Sequence, residues 1–495
     1  MAGTLPLELL TEIGTYLSHE GIPLAPCTTV CRRWQTAFEP FIYSRKFIIR
    51  SNDVPPEVPL PSTIPVDRFA TLTSGTGTAR RSWIRHLQYH IIVPYELPDW
   101  TSRKHKGYRL KNPVRDANDQ AFKSAIINLF QLLSTWDRTH RISLQLGLLG
   151  CQPGTEPYTS YMSDAWEYTW DFRNGRTKAT KPYRACFPDD DASMLSEVPC
   201  IDVLSFMNIG GVEGRADHQI WAKAIFQIVQ HCPTITGLYV DLDYLTRPDQ
   251  LEYIQARRQA VSDGLTMIPR SLKVFDFTNQ IEEPWKDTMP ALNVLSSETD
   301  NLAMAIRDLS FGLQVLKLKN TALSMGFLCP IDDHAQPILP HLRWTHLETI
   351  EFRSVPPWLP SGKWLLQPSP KDEARIAAID DWAYEICHSE QGCISRPVMD
   401  VEQFHRLFIS LGHAARHMPR LASIYFQLES EISLAFTFKQ SAEGISVYWS
   451  SRVGYRPDER VAAAWGFCED SLEADRFEEG YSVQLPTWPP DHLQS

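Results

Sequence analysis

One pattern limits the folds open to this 495-residue chain more than any other: an apolar residue, any two residues, a second apolar residue, any one residue, a third apolar residue. It recurs as Ile84/Leu87/Tyr89, Ile201/Leu204/Phe206, Ile235/Leu238/Val240, Leu272/Phe275/Phe277, Leu313/Leu316/Leu318, Leu347/Ile350/Phe352 and Leu421/Ile424/Phe426, with a weaker copy at Ile142 to Leu148. From Ile201 onward neighbouring copies are 34 to 41 residues apart, and the last lies at twice that interval. Side chains two apart share one face of a strand, so each copy predicts a short strand with one buried face. Stretches with helical apolar spacing precede several copies. Residues 118–136, 216–231, 298–309 and 401–418 each place apolar side chains on one stripe, and Cys232-Pro233 and Pro419 mark two of the stops.

Helix, stop, strand is the repeated unit, and it places the chain in the α/β class. A unit with one apolar face can bury it only against its neighbours, which is the logic of a leucine-rich repeat. The interval exceeds the roughly 20–29 residues of regular leucine-rich repeats, and their usual Asn or Cys is missing, so the expectation is an irregular leucine-rich-repeat-like array. A single α/β domain whose parallel strands look alike meets the same pattern. Near the C-terminus, Ile432, Leu434, Phe436 and Phe438 alternate, Glu443-Gly444 supplies a turn, and Ile445, Val447 and Trp449 alternate again, which predicts a β-hairpin. A further strand is expected at Tyr481 to Leu485.

Composition narrows the function classes. Thirty-six Pro against 24 Gly favour short elements with stiff joins over coiled coil. A net charge of -11 argues against a phosphate backbone as main partner. Residues 1–17 carry Glu8 and Glu12 where a secretory signal needs apolar residues, and Ala125 to Leu133 is too short to cross a bilayer. Ten scattered Cys without a CxxC pair fit a reducing compartment, so a cytoplasmic or nuclear location without membrane attachment is expected.

The N-terminal fifty residues read as three short helices. Pro6 opens the first, Glu8 sits in its first turn, and Leu9, Ile13, Tyr16 and Leu17 follow one face, widened by Leu5 and Leu10. Leu24 to Thr29 leads into Val30-Cys31-Arg32-Arg33-Trp34, and Pro40 is expected to close the unit. So small a unit has surplus apolar surface that a partner can cover.

The pairing of Leu5-Pro6-Leu7-Glu8-Leu9-Leu10 with Val30-Cys31-Arg32-Arg33-Trp34 resembles the F-box motif. Residues 129–136 with the strand after them, and residues 416–421, look similar to a fungal family of uncharacterised F-box proteins. The resemblance implies docking on a Skp-type adaptor and, through it, a cullin. The adaptor-facing positions would be Leu5, Pro6, Leu9, Leu10, Ile13, Leu17, Val30, Cys31 and Trp34. It departs from the usual motif between Leu17 and Val30, where the link is long and Pro23 and Pro26 interrupt the second helix. The implied organisation is an F-box over residues 1–50, a proline-rich linker over 51–80 and a target-binding array over 81–495. The implied function is the substrate-recognition subunit of a Skp-cullin-F-box ubiquitin ligase, non-catalytic in itself. An interaction scaffold that uses the box without a ligase is the alternative.

No motif for bond chemistry, cofactor or metal emerges. His86 and His90 lie in a strand, about 13 Å apart at that spacing. His413 and His417 share the last turns of a helix, where a cationic side chain suits the dipole. Asp189, Asp190 and Asp191 read as an exposed turn, residues 74–81 as a flexible linker, and Cys387, His388 and Cys393 miss zinc spacing. Arg103, Lys104, Lys106, Arg109, Lys111 and Arg115 form a basic loop that is expected to be solvated, with docking of an acidic partner or nuclear import as the alternative. Trp100, Trp166, Trp170, Trp358 and Trp364 are candidate exposed anchors.

Overall fold

The computed structural model describes residues 5–51, 63–97, 112–154, 182–188, 192–206, 217–244, 251–281, 291–339, 341–379, 395–429, 432–452, 454–475 and 480–489. They form a mixed α/β structure divided into two compact units, one reaching Gly237 and the other starting at Leu238.

In the first unit, helices α1 (Leu7–His19) and α2 (Arg32–Tyr43) flank a 3-10 turn at Ala25–Thr29. Pro40 lies inside α2 and does not end it. A proline removes one backbone bond, and here the last turn is held by Tyr43, which is buried and stacks on Phe47. Strands β1 (Phe47–Arg50), β2 (Ile64–Pro65), β3 (His86–Glu96), β4 (Ile142–Pro153) and β6 (Ile201–Phe206) form a parallel sheet in the order β2-β1-β3-β4-β6. β5 (Arg184–Ala185) and β7 (Asp217–Ile220) join beside it, with β7 antiparallel to β4.

The described part of the expected linker is folded. Residues 66–72 form helix α3, a 3-10 helix follows at Gly75–Ser82, and Phe69 is fully buried between Phe47 and Trp136. The stretch 74–81, expected to be flexible, is held by Arg80, which donates to the Leu72 carbonyl at 3.0 Å, and by Arg81, which donates to the Thr73 carbonyl at 2.7 Å.

Helix α4 (Pro113–Ser134) starts where the Asn112 side chain accepts from the Val114 and Arg115 amides and Pro113 occupies the first turn. Arg115 is therefore a helix residue, with its guanidinium over the Tyr183 ring. The other basic-loop residues, 103–111, lie outside the described residues, as do Asp189–Asp191, Trp100, Trp166, Trp170, Cys387, His388 and Cys393. The helix expected over 216–231 is shorter, α5 at Ala222–Gln230, because 217–220 pair as β7 instead.

The second unit follows helix-then-strand order. Helices α6 (Leu251–Leu265) and α7 (Asn301–Ser310) precede strands of a sheet ordered β8 (Gly237–Tyr244), β9 (Val274–Ile281), β10 (Val315–Lys319), β11 (Thr349–Val355) and β14 (Ser423–Leu428). Short strands β12 (Leu366–Gln367) and β13 (Val398–Met399) pair apart from it, flanking α8 (Pro370–Ala377). Helix α9 (Val401–Arg416) is capped by Asp400, whose carboxylate accepts from the Gln403 amide. From β14 the sheet turns antiparallel through β15 (Leu434–Ser441) and β16 (Gly444–Ser451), the expected hairpin, to β18 (Gly480–Leu485) and the edge strand β17 (Glu473–Asp475). Helix α10 (Glu459–Trp465) starts at the Asp458 cap and ends at Gly466 with φ 78°.

Every residue of the seven recurrent triplets is buried. In the second unit they also align. Phe275, Leu316, Ile350 and Ile424 are register partners across four parallel strands, and so are Phe277, Leu318, Phe352 and Phe426. The opposite face carries Asp276, Lys317, Glu351 and Tyr425 in one row and Thr278, Lys319 and Arg353 in the next, all half-buried or exposed. One sheet face thus supplies the core and the other meets solvent.

Candidate functional site

The sequence stripe on α1 divides into two faces. Leu10, Gly14 and Leu17, at i, i+4 and i+7, turn inward. Leu10 is 0% exposed and packs with Leu24, Ala37 and Phe38, while Leu5, Leu17, Cys27, Trp34, Phe41 and Ile42 close around them. Gly14 admits the Phe41 ring: a Cβ there would stand 2.7 Å from Phe41 Cε2. The apolar spacing of α1 does not single out this glycine, although a glycine in mid-helix is a signal of close approach.

The outer face holds Leu9, 44% exposed, Ile13, 37%, and Tyr16, 66%, again at i, i+4 and i+7. Leu7, Ile22 and Val30 are exposed as well, Val30 at 55%, and Cys31 and Pro6 are also open to solvent. Of the nine positions the motif marks as adaptor-facing, Pro6, Leu9, Ile13, Val30 and Cys31 lie on the surface. Leu5, Leu17 and Trp34 are half-buried in the internal cluster. Leu10 is buried, its side chain part of the internal core. Trp34 stacks on Phe38 with ring centroids 5.3 Å apart, so one of its faces is packed within the unit.

These helices are fastened at two points within the first unit. Arg45 Nη2 donates to the Ser18 carbonyl at 2.9 Å, and Arg80 pairs with Glu39 at 2.6 Å. The apolar outer face is thereby carried on a fixed base.

Elsewhere the nearest approach to a reactive constellation joins α9 and α10. Tyr455 Oη is 3.0 Å from His405 Nδ1, and His405 Nε2 is 3.8 Å from Asp458 Oδ2. Burial pushes the His405 imidazole below its ordinary value and the Tyr455 phenol well above its own. Burial pulls the Asp458 carboxyl upward, but the Val461 amide and Arg460 outweigh it and hold it below the usual range. Arg460 also pairs with Glu402 at 2.6 Å, so the cluster serves to tie two helices together.

Of the remaining described candidates, His90, His413 and Trp358 are spent on packing. His90 is buried and His86 exposed, on one strand. His413 Nε2 donates to the Ala335 carbonyl at 3.2 Å, and burial pushes its pKa down to about 4, so it is neutral and not the cation expected for the helix end. Trp358 is buried against Trp364, centroids 5.2 Å apart, and is not an exposed anchor; Trp364 lies beneath Arg396. Among the described residues no three His, Cys, Asp or Glu side chains converge as metal ligands, and no helix is long and apolar enough to cross a membrane. No family model, curated protein or solved structure matches the chain.

Proposed function

We propose that the chain is an F-box protein: the substrate-recognition subunit of a Skp-cullin-F-box ubiquitin ligase. The observation that carries this reading is the row Leu9, Ile13 and Tyr16 with Val30, apolar side chains left outside a small helical unit whose own core is already filled. Exposed apolar side chains clustered on a small unit mark an interaction surface. In this reading Leu9, Ile13, Val30 and Cys31 meet the Skp-type adaptor, and the adaptor links the chain to a cullin. The helix–strand units form a leucine-rich-repeat-like array, a reading supported by strands that follow chain order and by aligned apolar rows. The array presents the target, and the chain works by raising the target's effective concentration at the ubiquitin-loaded enzyme. The protein acts in the cytoplasm or nucleus.

The link between Leu17 and Val30 favours a second reading, a scaffold that uses the box without a ligase, since Pro26 sits in a 3-10 turn in place of the usual second α-helix. Co-purification of the full chain with a Skp-type adaptor tests the first step. Wild type is expected to retain the adaptor and Leu9→Asp and Val30→Asp to lose it. Equal retention by all three, or by none, rejects the F-box reading. Adding a cullin to the retained complex separates ligase from scaffold.

A further inference from the structure

One strip of the second unit's sheet runs against the charge of the whole chain. On the outward positions of β9, β10, β11, β14 and β15 stand Lys317, Lys319, Arg353 and Lys439 against Asp276 and Glu351, a balance of +2 in a chain of net charge -11. Glu351 is shared: Lys317 Nζ lies 3.0 Å from one oxygen and Arg353 Nε 2.9 Å from the other. Lys319 and Lys439 are exposed, and neither has an ion-pair partner among the described residues.

Lys319 and Arg353 are register partners on adjacent parallel strands. Like charges directly opposite one another are unfavourable, and the carboxylate that Arg353 pairs with, Glu351 on the neighbouring row, is already shared with Lys317, which leaves the cations in excess of negative charge. A bound anion would relieve that repulsion. Beside them Tyr425 lies under the Arg353 guanidinium, 5.5 Å to the ring centroid, and holds it over the sheet. Beyond β15 the row through Tyr425 continues into Thr437, Tyr448 and Ser482, and ends at Glu473 on the edge strand. The basic strip is therefore bounded by Asp276 on one side and Glu473 on the other.

We propose that this face binds an acidic peptide segment of a protein partner, with Lys319, Arg353 and Lys439 as the carboxylate-binding cations. Five strands at about 4.8 Å spacing span roughly 19 Å, the length of about six residues of extended chain. The surface is an open sheet face carrying dispersed cations and tyrosines, which suits carboxylates spread along a peptide better than one compact phosphate. As a statement about the target, the proposal rests on the ligase reading; as a binding face it does not.

Fluorescence polarisation of a labelled decaglutamate peptide with the full chain tests it. Wild type is expected to bind with an affinity that falls as salt rises, Lys319→Glu and Lys439→Glu each to weaken binding about tenfold, and the exposed first-unit control Arg138→Glu to leave it unchanged. Far-UV circular dichroism confirms that each variant is folded. Equal binding by wild type and the two face variants overturns the proposal. So does tighter binding of single-stranded DNA of equal charge that is lost in the same variants. The same preparations are assayed for the adaptor. Adaptor retention with no peptide binding removes this face and leaves the ligase reading, and peptide binding without the adaptor does the reverse.

Discussion

Arg80 reaches back 41 residues to Glu39, its Nη2 2.6 Å and its Nε 3.2 Å from the same carboxylate oxygen, while its Nη1 holds the Leu72 carbonyl. One guanidinium thus joins α2, the end of α3 and the 3-10 helix it belongs to. Glu39, through its hydrogen bond, is the main reason the Arg80 guanidinium is held above its ordinary value. Arg80→Ala is expected to lower stability by roughly 1–3 kcal/mol, because it leaves the half-buried Glu39 carboxylate with only its neutral Gln35 donor at 2.7 Å and removes a donor from the Leu72 carbonyl. Urea denaturation measures this. Adaptor capture by the variant should persist at temperatures where it remains folded.

Two adjacent leucines on α1 should separate stability from docking. Leu10→Ala opens a cavity in the internal cluster and is expected to cost about 2–5 kcal/mol. Leu9→Asp changes an exposed position, should alter stability by less than about 0.5 kcal/mol, and should abolish adaptor capture. Thermal melting beside co-purification reads both, and the opposite assignment of effects would contradict the two-faced α1.

Gly412 on α9 lies where a Cβ would stand 2.9 Å from the Ala464 carbonyl and 2.9 Å from the Trp465 ring. Trp465 cannot retreat easily, since its indole Nε1 donates to the Phe408 carbonyl at 2.9 Å. Gly412→Ala is expected to destabilise the second unit by about 1–3 kcal/mol through overpacking, despite the better helix propensity of alanine. Chemical denaturation followed by tryptophan fluorescence checks it.

Two buried imidazoles make stability depend on pH. Burial, with Lys46 adding to it, pushes His90 down to about 4, and burial with Arg416 does the same to His413, against an ordinary value of 6.5. Both are neutral in the folded chain, and unfolding lets them take up protons. Their contribution is therefore fully present above pH 6.5 and is lost as the pH falls from 6.5 to about 4. The loss is about 1–3 kcal/mol for each, allowing for solvent screening. Denaturation at pH 7.5 and pH 5.0 should show it for wild type and show less of it for His90→Gln.

Strands with one apolar face were legible because their period of two repeats every time, as Leu316 and Leu318 or Ile350 and Phe352 illustrate. The hairpin from Leu434 to Ser451 was legible for the same reason. Helix α6 was not. Its inner side includes Arg257, 5% exposed, whose Nη1 donates to Asp243 Oδ1 at 2.8 Å, and a buried ion pair reads as a polar surface until both partners are placed. The exposed apolar face of α1 was half legible. The spacing of Leu9, Leu10, Ile13 and Leu17 marked an apolar stripe, but which side met the core depended on Phe41 entering over Gly14. Pro40 misled because burial of Tyr43 decided where α2 ends.

The change of direction after β14 restricts how this architecture could grow. A run of parallel strands lengthens when a helix and its strand are duplicated, since each new copy finds the same register on both neighbours. β14 already has antiparallel β15 on its far side, so a duplicated unit has no parallel seat at that end, whereas one inserted between neighbours such as β9 and β10 finds parallel partners on both sides. The edge strand at the antiparallel end, β17, is three residues long and carries Glu473 and Asp475. A short acidic border of this kind discourages a neighbouring molecule from adding a strand of its own.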